Sequence, residues 1–399
     1  MSLFERARPI TFVNGRVVRP DGVFANSLRV AAGRVTGFDG QIQIGDAVVD
    51  LAGGFVYPGL INAHDHLELN NFPRLKWQER HANAHDWRDG FQSRFKTDPR
   101  LIEPMAVPLD DRLLLSGLKN LLSGVTTVAH HNPLHPALRG RDYPVRVVRR
   151  YRWSHSLLVD GDEAVAKSYR QTPGDWPWII HAAEGTDAEA ADEFGRLERL
   201  GCLGANTVLV HGVGLGTAER ARLLERGGGL VWCPSSNEFM LGATAAIGDL
   251  ACTGRVALAT DSRLTGARDL LSELKCASAT GQADPAALFR MVTINAAALL
   301  RLPEAGRLAP GLPADLFVLP PLSADPFEAL LLADRGDVRL VMVGGQAALA
   351  DNGLELAFDA GHLAASRVRI DGRDRFLAAP LACRLRQAKC GEAGLVIAD

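Results

Sequence analysis

Two periodicities divide the chain. Between residues 10 and 51, short runs of β-branched and apolar side chains alternate with turn chemistry: 10–13, Asn14-Gly15, 16–18, Pro20-Asp21-Gly22, then 27–30, 34–37 and 47–51. Asn-Gly and Pro-Asp-Gly permit or preset the backbone angles of tight turns, so this stretch predicts a small all-β unit. From Phe55 to about Leu302 the pattern changes. Segments 125–129, 145–148, 178–180, 207–210, 229–232 and 256–259 are continuously apolar or β-branched, as strands buried on both faces of a parallel sheet are. Helical segments separate them. Leu-rich 111–123 stops at Gly124, Thr186-Asp187-Ala188-Glu189 has capping-box spacing and opens a helix to about Leu200, and 217–226 and 268–279 repeat the theme.

Strand–helix alternation of this length predicts a barrel. The run ending at Ala63 and the six above give seven strands, and the fourth of eight falls somewhere in 151–159. After Arg301 the chain is turn-rich again, and 316–319 and 338–343 read as strands returning to the first β unit. The expected fold class is α/β: a TIM-like (β/α)8 barrel over 58–305, with a small β-sandwich domain built from both chain ends, 1–57 and 306–399, the latter including a C-terminal extension. One segment departs from the scheme. Residues 67–108 far exceed an ordinary βα connection and carry Asn70, Asn71, Arg74, Trp77, His81, His85 and Trp87, which predicts a lid or substrate wall, or else a surface excursion.

Composition narrows the function classes. The chain has 399 residues with 47% hydrophobic and 23% charged side chains and a formal net charge of -2. A near-neutral balance argues against a phosphate-binding surface for nucleic acid. No apolar run approaches a membrane span, the first six residues lack the apolar core of a secretory leader, and the six cysteines form no C-x-x-C pair. The expectation is a cytoplasmic protein with a small-molecule substrate, no nucleic-acid or membrane partner, and a homo-oligomer left open.

The candidate chemistry lies at strand ends. Pro58-Gly59-Leu60-Ile61-Asn62-Ala63 runs into His64-Asp65-His66. Side chains alternate along a strand, so the two imidazoles share a side, a metal-ligand arrangement, while Asp65 points away. Trp178-Ile179-Ile180 ends in His181, with Glu184 three residues on; Val208-Leu209-Val210 ends in His211; Ala257-Leu258-Ala259-Thr260 ends in Asp261. Any one such residue is more often structural. Four ligand-type strand ends together match the way barrel active sites gather at strand C-termini, and three imidazoles with one carboxylate suit Zn²⁺ or Fe²⁺. Glu184 is placed either to move a proton near a bound water or simply to charge a helix N-terminus.

These segments, in this order, resemble the amidohydrolase superfamily. The flanks resemble it as well: Asn14-Gly15-Arg16, Ala32-Gly33-Arg34-Val35, and Gly306 to Leu316. His181-x-x-Glu184 and Cys233-Pro234-Ser235-Ser236-Asn237 are similar to its aminohydrolase branch of nucleobase and nucleoside deaminases and s-triazine hydrolases. The resemblance implies that His64, His66, His181 and Asp261 hold one divalent metal, Zn²⁺ ahead of Fe²⁺. It implies that Glu184 shuttles protons, that His211 steadies the attacking hydroxide, and that Asp261 also orients it. The implied reaction is hydrolytic deamination of a nitrogen-rich heterocycle by a metal-bound hydroxide. Hydrolysis of a cyclic amide or loss of another leaving group is the alternative, and a non-catalytic scaffold is the third reading. The two-metal branch needs a carboxylated lysine on the fourth strand; Lys167, the one lysine between His131 and His181, falls in a helical pattern. Gly214 stands where some relatives carry a second histidine. Asn71, Arg74, Arg152 and Asn237 are candidate substrate contacts. His130, His131, Asn132, His155, Ser235 and Arg263 are each read either as pocket residues or as structural polar groups.

Overall fold

The computed structural model describes residues 7–140 and 142–398; the first six residues, on which the expectation about a leader rests, lie outside them. Residues 7–58 form seven strands: β1 (Ile10–Val13), β2 (Arg16–Arg19), β3 (Gly22–Ala25), β4 (Leu28–Ala31), β5 (Arg34–Phe38), β6 (Ala47–Asp50) and β7 (Phe55–Pro58). Asn14 takes the left-handed conformation (φ 52°) in the β1–β2 turn, as the Asn-Gly pair predicts. Four of these strands pair in the order β5-β4-β1-β6.

Strands then alternate with helices. β8 (Leu60–Asp65) leads through α1 (Ala84–Arg94), α2 (Pro99–Ala106) and α3 (Leu109–Leu122) to β9 (Val125–His130), β10 (Arg146–Val147) and β11 (Arg152–Ser154). Next come α4 (Leu157–Asp160), α5 (Asp162–Arg170), β12 (Trp178–Ala182), α6 (Ala188–Arg199), β13 (Thr207–His211) and α7 (Thr217–Glu225). The series ends with β14 (Gly229–Trp232), α8 (Pro234–Leu241), β15 (Val256–Leu258), α9 (Leu270–Ala279), α10 (Pro285–Met291) and α11 (Ile294–Leu299). All pairings among these strands are parallel, in two sheets ordered β10-β9-β8 and β11-β12-β13-β14-β15. An isolated parallel bridge between Asp65 and Asp261 joins the end of β8 to the residues just past β15. The fourth strand is Arg152–Ser154, and the rest of the 151–159 stretch turns into α4 because Ser156 caps it by accepting from the Val159 amide. The helix after His181 is capped by Asp187, which accepts from the Ala190 amide, so the cap falls one residue later than the Thr186 expected from the sequence.

Where side chains point is decided by alternation and its interruptions. Ile61 and Ala63, Ile179, Val208 and Val210, Val231, and Ala257 and Ala259 pack into one apolar cluster. His181 and Asp261 keep the parity of these residues. His64 and His211 do not, and each is re-aimed. The β8–β9 register slips between Asn62 and Asp65, a bulge that turns His64 onto the side of Ala63. His211 closes β13 at φ 75°.

The last part of the chain supplies β16 (Leu316–Leu319), α12 (Pro326–Leu332), β17 (Leu340–Val343), β18 (Gln346–Asp351), α13 (Leu356–Ala360), β19 (Ala365–Ile370), β20 (Arg373–Ala378), α14 (Ala379–Gln387) and β21 (Leu395–Ile397). Its strands join β7, β2 and β3 in a nine-stranded sheet, β21-β19-β20-β18-β17-β16-β7-β2-β3. Phe12, Leu28 and Val49 from the four-stranded sheet share a core with Val56, Leu316 and Met342 from the nine-stranded one. Both chain ends therefore build one β layer system, and no helix among the described residues is long and apolar enough to cross a membrane.

Two buried ionisable side chains tie strand ends to helices. Lys119 on α3, with no exposed side-chain surface, donates to Asp65 (3.1 Å), Asn70 (2.7 Å) and the Thr260 hydroxyl (3.0 Å). Asp65 also accepts from Asn62, Asn70 and Asn120, so the pair is fully hydrogen-bonded, the condition under which a buried ion pair is tolerated. Asp65 thus points toward α3, away from the two histidines flanking it. Glu273 on α9 accepts from the Ser235 amide (2.8 Å), and burial pushes its carboxyl up from 4.5 to about 8. Between those values the unfolded chain has lost the proton that the folded chain keeps, so this group's contribution to stability falls as pH rises from 4.5 to 8. Glu273→Gln cannot ionise. Its melting temperature should approach the wild type's near pH 5 and exceed it increasingly toward pH 8.5; a gap that stays constant with pH would contradict the assignment.

Candidate metal centre and its cavity

The strand ends bring ring nitrogens and a carboxylate together. His181 Nε2 lies 3.2 Å from His64 Nε2 and 3.2 Å from His66 Nε2. Asp261 Oδ1 lies 3.7 Å from His64 Nε2 and 3.6 Å from His66 Nε2. These four separations of 3.2–3.7 Å match the edge length of a tetrahedron whose centre is about 2.0–2.3 Å from each corner, the bond lengths of zinc with imidazole and carboxylate.

The other polar atom of each group is already engaged. His131 Nε2–H donates to the Ser154 carbonyl (2.9 Å), which leaves His131 Nδ1 free to accept from His64 Nδ1–H at 3.2 Å. His66 Nδ1 lies 3.3 Å from the Asn132 side-chain amide, and His181 Nδ1–H donates to the His155 carbonyl (2.7 Å). Asp261 Oδ2 accepts from the Ser236 and Thr265 hydroxyls, both at 2.7 Å. For His64 and His181 such partners fix tautomer and ring orientation, so that Nε2 presents a lone pair to the common point, while the Asn132 contact holds the orientation of the His66 ring. His131 also has a ring nitrogen within 4.8 Å of ligand atoms on His64 and His181. That nitrogen faces the Nδ1 edge of His64, opposite the edge that meets His181 and Asp261, so His131 acts as the orienter of His64.

Electrostatics agree with this division. Burial lowers His64 to about 4 and holds His181 and His131 well below the ordinary imidazole value, so the rings are neutral. Burial by itself would raise Asp261, but the surrounding His64, His66 and His211 rings keep it ionised, far below an ordinary carboxylate. Neutral His64 and His181 imidazoles and an ionised Asp261 are protonation states that suit a cation. Two of the residues involved hold left-handed backbone without being glycine, His211 (φ 75°) and Asp261 (φ 56°), and Ala183 (φ 53°) does so between His181 and Glu184. Clustered outliers of this kind mark functional sites.

Glu184 and His211 complete the floor. Glu184 Oε1 is 3.4 Å from His211 Nε2, and His211 Nδ1–H donates to Asn237 Oδ1 at 2.8 Å. Burial, with the charges of Asp261 and Glu193, drives the Glu184 carboxyl well above its usual range. Above this floor opens a cavity of about 460 Å³. Its wall is the long 67–108 segment: along α1 the positions Trp87, Arg88, Phe91, Gln92 and then Phe95 recur at helical spacing, and Met105 of α2 faces them. The segment is a cavity wall and not a surface excursion.

Several sequence candidates lie elsewhere. Asn71 donates to the Pro104 carbonyl (2.8 Å), and Arg74 donates to the carbonyls of Thr265 and Ser235 with its guanidinium over Phe239. Asn71 joins two parts of the long segment, Arg74 ties it to neighbouring elements, and neither lines the cavity. Arg152 is exposed on β11 outside the cavity, because strand alternation turns it opposite to the site. Asn237 reaches the site only through His211. Arg263 pairs with Glu392 instead of facing the cavity. Lys167 is an exposed residue of α5, so it offers no bridge for two metals. Gly214 packs so closely on α6 that a Cβ there would stand 3.2 Å from the backbone of Ala190 and Ala191, which leaves no room for a histidine. Sequence reading missed Glu68, Arg112 and Glu193, which line the cavity but carry no motif, and left His131, Asn132 and His155 undecided.

Comparison with known proteins gives a consistent picture. The amidohydrolase family model matches residues 170–348. A 5-methylthioadenosine/S-adenosylhomocysteine deaminase of Haloarcula marismortui is 26% identical over 86% of this chain and 93% of its own. An 8-oxoguanine deaminase of Pseudomonas aeruginosa is 34% identical over 48% of this chain and 49% of its own. Among solved structures, a zinc-bound adenosine deaminase from Xanthomonas campestris superposes with a TM-score of 0.70 at 17% identity, covering 88% of this chain and 97% of that one. An atrazine chlorohydrolase from Arthrobacter aurescens complexed with zinc gives 0.70 at 18% identity, covering 88% and 99%. The family model, these relatives and His181-x-x-Glu184 together support the amidohydrolase superfamily, in its aminohydrolase branch, as the family this chain resembles.

Proposed function

We propose that the protein is a hydrolase of carbon–nitrogen bonds that deaminates a nitrogen-rich heterocycle at a single Zn²⁺ held by His64, His66, His181 and Asp261. We read the two parallel sheets as one (β/α)8 barrel over 58–305, flanked by a β-sandwich from 1–57 and 306–399. The observation that carries the reading is the buried Glu184 carboxyl, 3.4 Å from His211 and above its ordinary pKa, beside four convergent ligand atoms. A cation bound there supplies Lewis-acid polarisation and lowers the pKa of a water toward neutrality.

The chain's own residues do the rest. Glu184 accepts the proton of the attacking water as a C–O bond forms at the carbon bearing the amine. It then returns that proton to the departing nitrogen as the C–N bond breaks, so ammonia leaves neutral. His211, whose Nδ1–H is held by Asn237, keeps Nε2 as an acceptor 3.4 Å from Glu184, placed to take a hydrogen bond from the attacking water. A cavity of about 460 Å³ falls in the range of small-molecule sites and exceeds what a bare base needs, and the Trp87–Phe91–Phe95 stripe favours a substrate with an apolar portion. Glu68 Oε2, Arg112 Nε and His155 Nδ1 make no hydrogen bond, and all three residues line the cavity, leaving polar capacity for substrate donors and acceptors.

Glu184→Gln keeps the shape of the site but removes the proton carrier. It should retain one equivalent of zinc and a wild-type melting curve while ammonia release from a purine, pterin and triazine panel falls about 10²–10⁴-fold; wild-type turnover would remove Glu184 from the mechanism. Ring-opened product without ammonia would move the reaction to cyclic-amide hydrolysis. His131→Ala should weaken zinc affinity about 10–100-fold in a competitive chelator titration, whereas unchanged affinity would mean that His64 is oriented by something else.

A further inference from the structure

The loop between β15 and α9 carries Asp261, Ser262, Leu264 and Thr265, all lining the cavity. Both of its flanks are gripped from outside the parallel sheets. Arg263 donates through both terminal nitrogens to the two Glu392 oxygens, at 2.8 and 2.7 Å, and through Nε to the Arg268 carbonyl at 2.7 Å. Arg268 donates to Asp371 (2.7 Å) and to the Ala393 carbonyl (3.2 Å). Arg335 closes the circuit. It binds Asp371 through Nε (2.8 Å) and a terminal nitrogen (3.0 Å), and it also donates to Glu392 and to the Ala393 carbonyl. The side chains of Glu392 and Arg335 are 0% and 1% exposed. A Cβ at Gly394 would collide with Asp371, Arg335 and Arg268, so the segment passes at a glycine.

The circuit reaches the other ligand strand too. The Arg263 amide donates to Asn70 Oδ1 (3.0 Å), and Asn70 donates to Asp65 (2.8 Å), between His64 and His66. One carboxylate from the nine-stranded sheet's outer edge is therefore connected to both strand ends that bear ligands. Among the described residues, the carboxylates paired with Arg263, Arg268 and Arg335 are Glu392 and Asp371. Without Glu392, three guanidinium groups would share one counter-charge, with Arg335 buried and Arg263 mostly so, and the Arg263 end of the loop would have to move outward.

We propose that Glu392 is a positioning residue: through Arg263 it braces the loop that aims Asp261, so that the terminal β unit governs how tightly the centre holds its cation. The proposal rests on the metal reading above. Its test measures the release of Zn²⁺ from loaded enzyme into a chromogenic chelator, alongside hydrogen exchange of residues 259–269. Glu392→Gln, which keeps the shape and removes the charge, should release zinc about ten- to a hundredfold faster, the scale found for outer partners of metal ligands. It should also lose exchange protection in 259–269 while β12 and β13 stay protected. Arg263→Gln cuts the same link from the loop side, leaves the Glu392–Arg335 pair intact, and should behave alike. Asp351→Asn breaks another partly buried pair of the same unit, with Arg339 (2.7 Å), and has no connection to the loop; it should lower the melting temperature without changing zinc release. Release at the wild-type rate from both Glu392→Gln and Arg263→Gln, or acceleration in Asp351→Asn equal to theirs, would overturn the brace alone. Wild-type enzyme that retains no zinc at all would overturn the metal reading, and the brace as a metal-retention device with it.

Discussion

Everything at this site follows from packing four groups with unshared electron pairs against one another where water cannot separate them. Three imidazoles and a carboxylate meet at 3.2–3.7 Å, buried, with the second polar atom of each ring or carboxylate engaged by a neighbour. Burial keeps the His64 and His181 rings neutral, and neutrality leaves their Nε2 lone pairs directed at one point. Such a cluster is costly without a cation and favourable with one, because a bound ion adds its affinity to the stability of the folded chain.

The scaffold meets this constraint with local departures from regular structure. The inward parity of the parallel strands is set by Ile61, Ala63, Val208, Val210, Ala257 and Ala259. A bulge brings His64 onto that side, and left-handed backbone turns His211 at the end of β13. Rigid supports surround these distortions: the Lys119–Asp65 pair behind β8, Glu273 behind Ser235, and the Arg263–Glu392–Arg335 circuit behind the Asp261 loop. Catalytic geometry of this kind is held by what lies behind the contacting residues as much as by those residues.

The sequence makes much of this legible, and the limits have physical causes. Buried parallel strands announce themselves because both faces must be apolar, so the candidate site residues at or just past the ends of β8, β12, β13 and β15 could be located from pattern alone. The fourth strand, Arg152–Ser154, escaped because three residues with an arginine and a serine carry too little periodicity. Arg152, Arg74 and Asn71 were drawn to the cavity by charge and neighbourhood. Their roles were decided by which carbonyls the tertiary fold placed within reach, which no local pattern encodes. The same holds for His131, whose task depends on Ser154 twenty-three residues later. Glu392 is invisible as a motif: its significance arises because the chain returns, 129 residues after Arg263, to the same place.

The account stands or falls on one cation at one point. Anomalous diffraction at the zinc edge from crystals of the loaded protein tests this directly. The predicted result is a single peak per chain within about 2.0–2.3 Å of Nε2 of His64, His66 and His181 and of an Asp261 oxygen. A peak coordinated instead through His131, a pair of peaks, or loaded protein with no peak at these residues would contradict it.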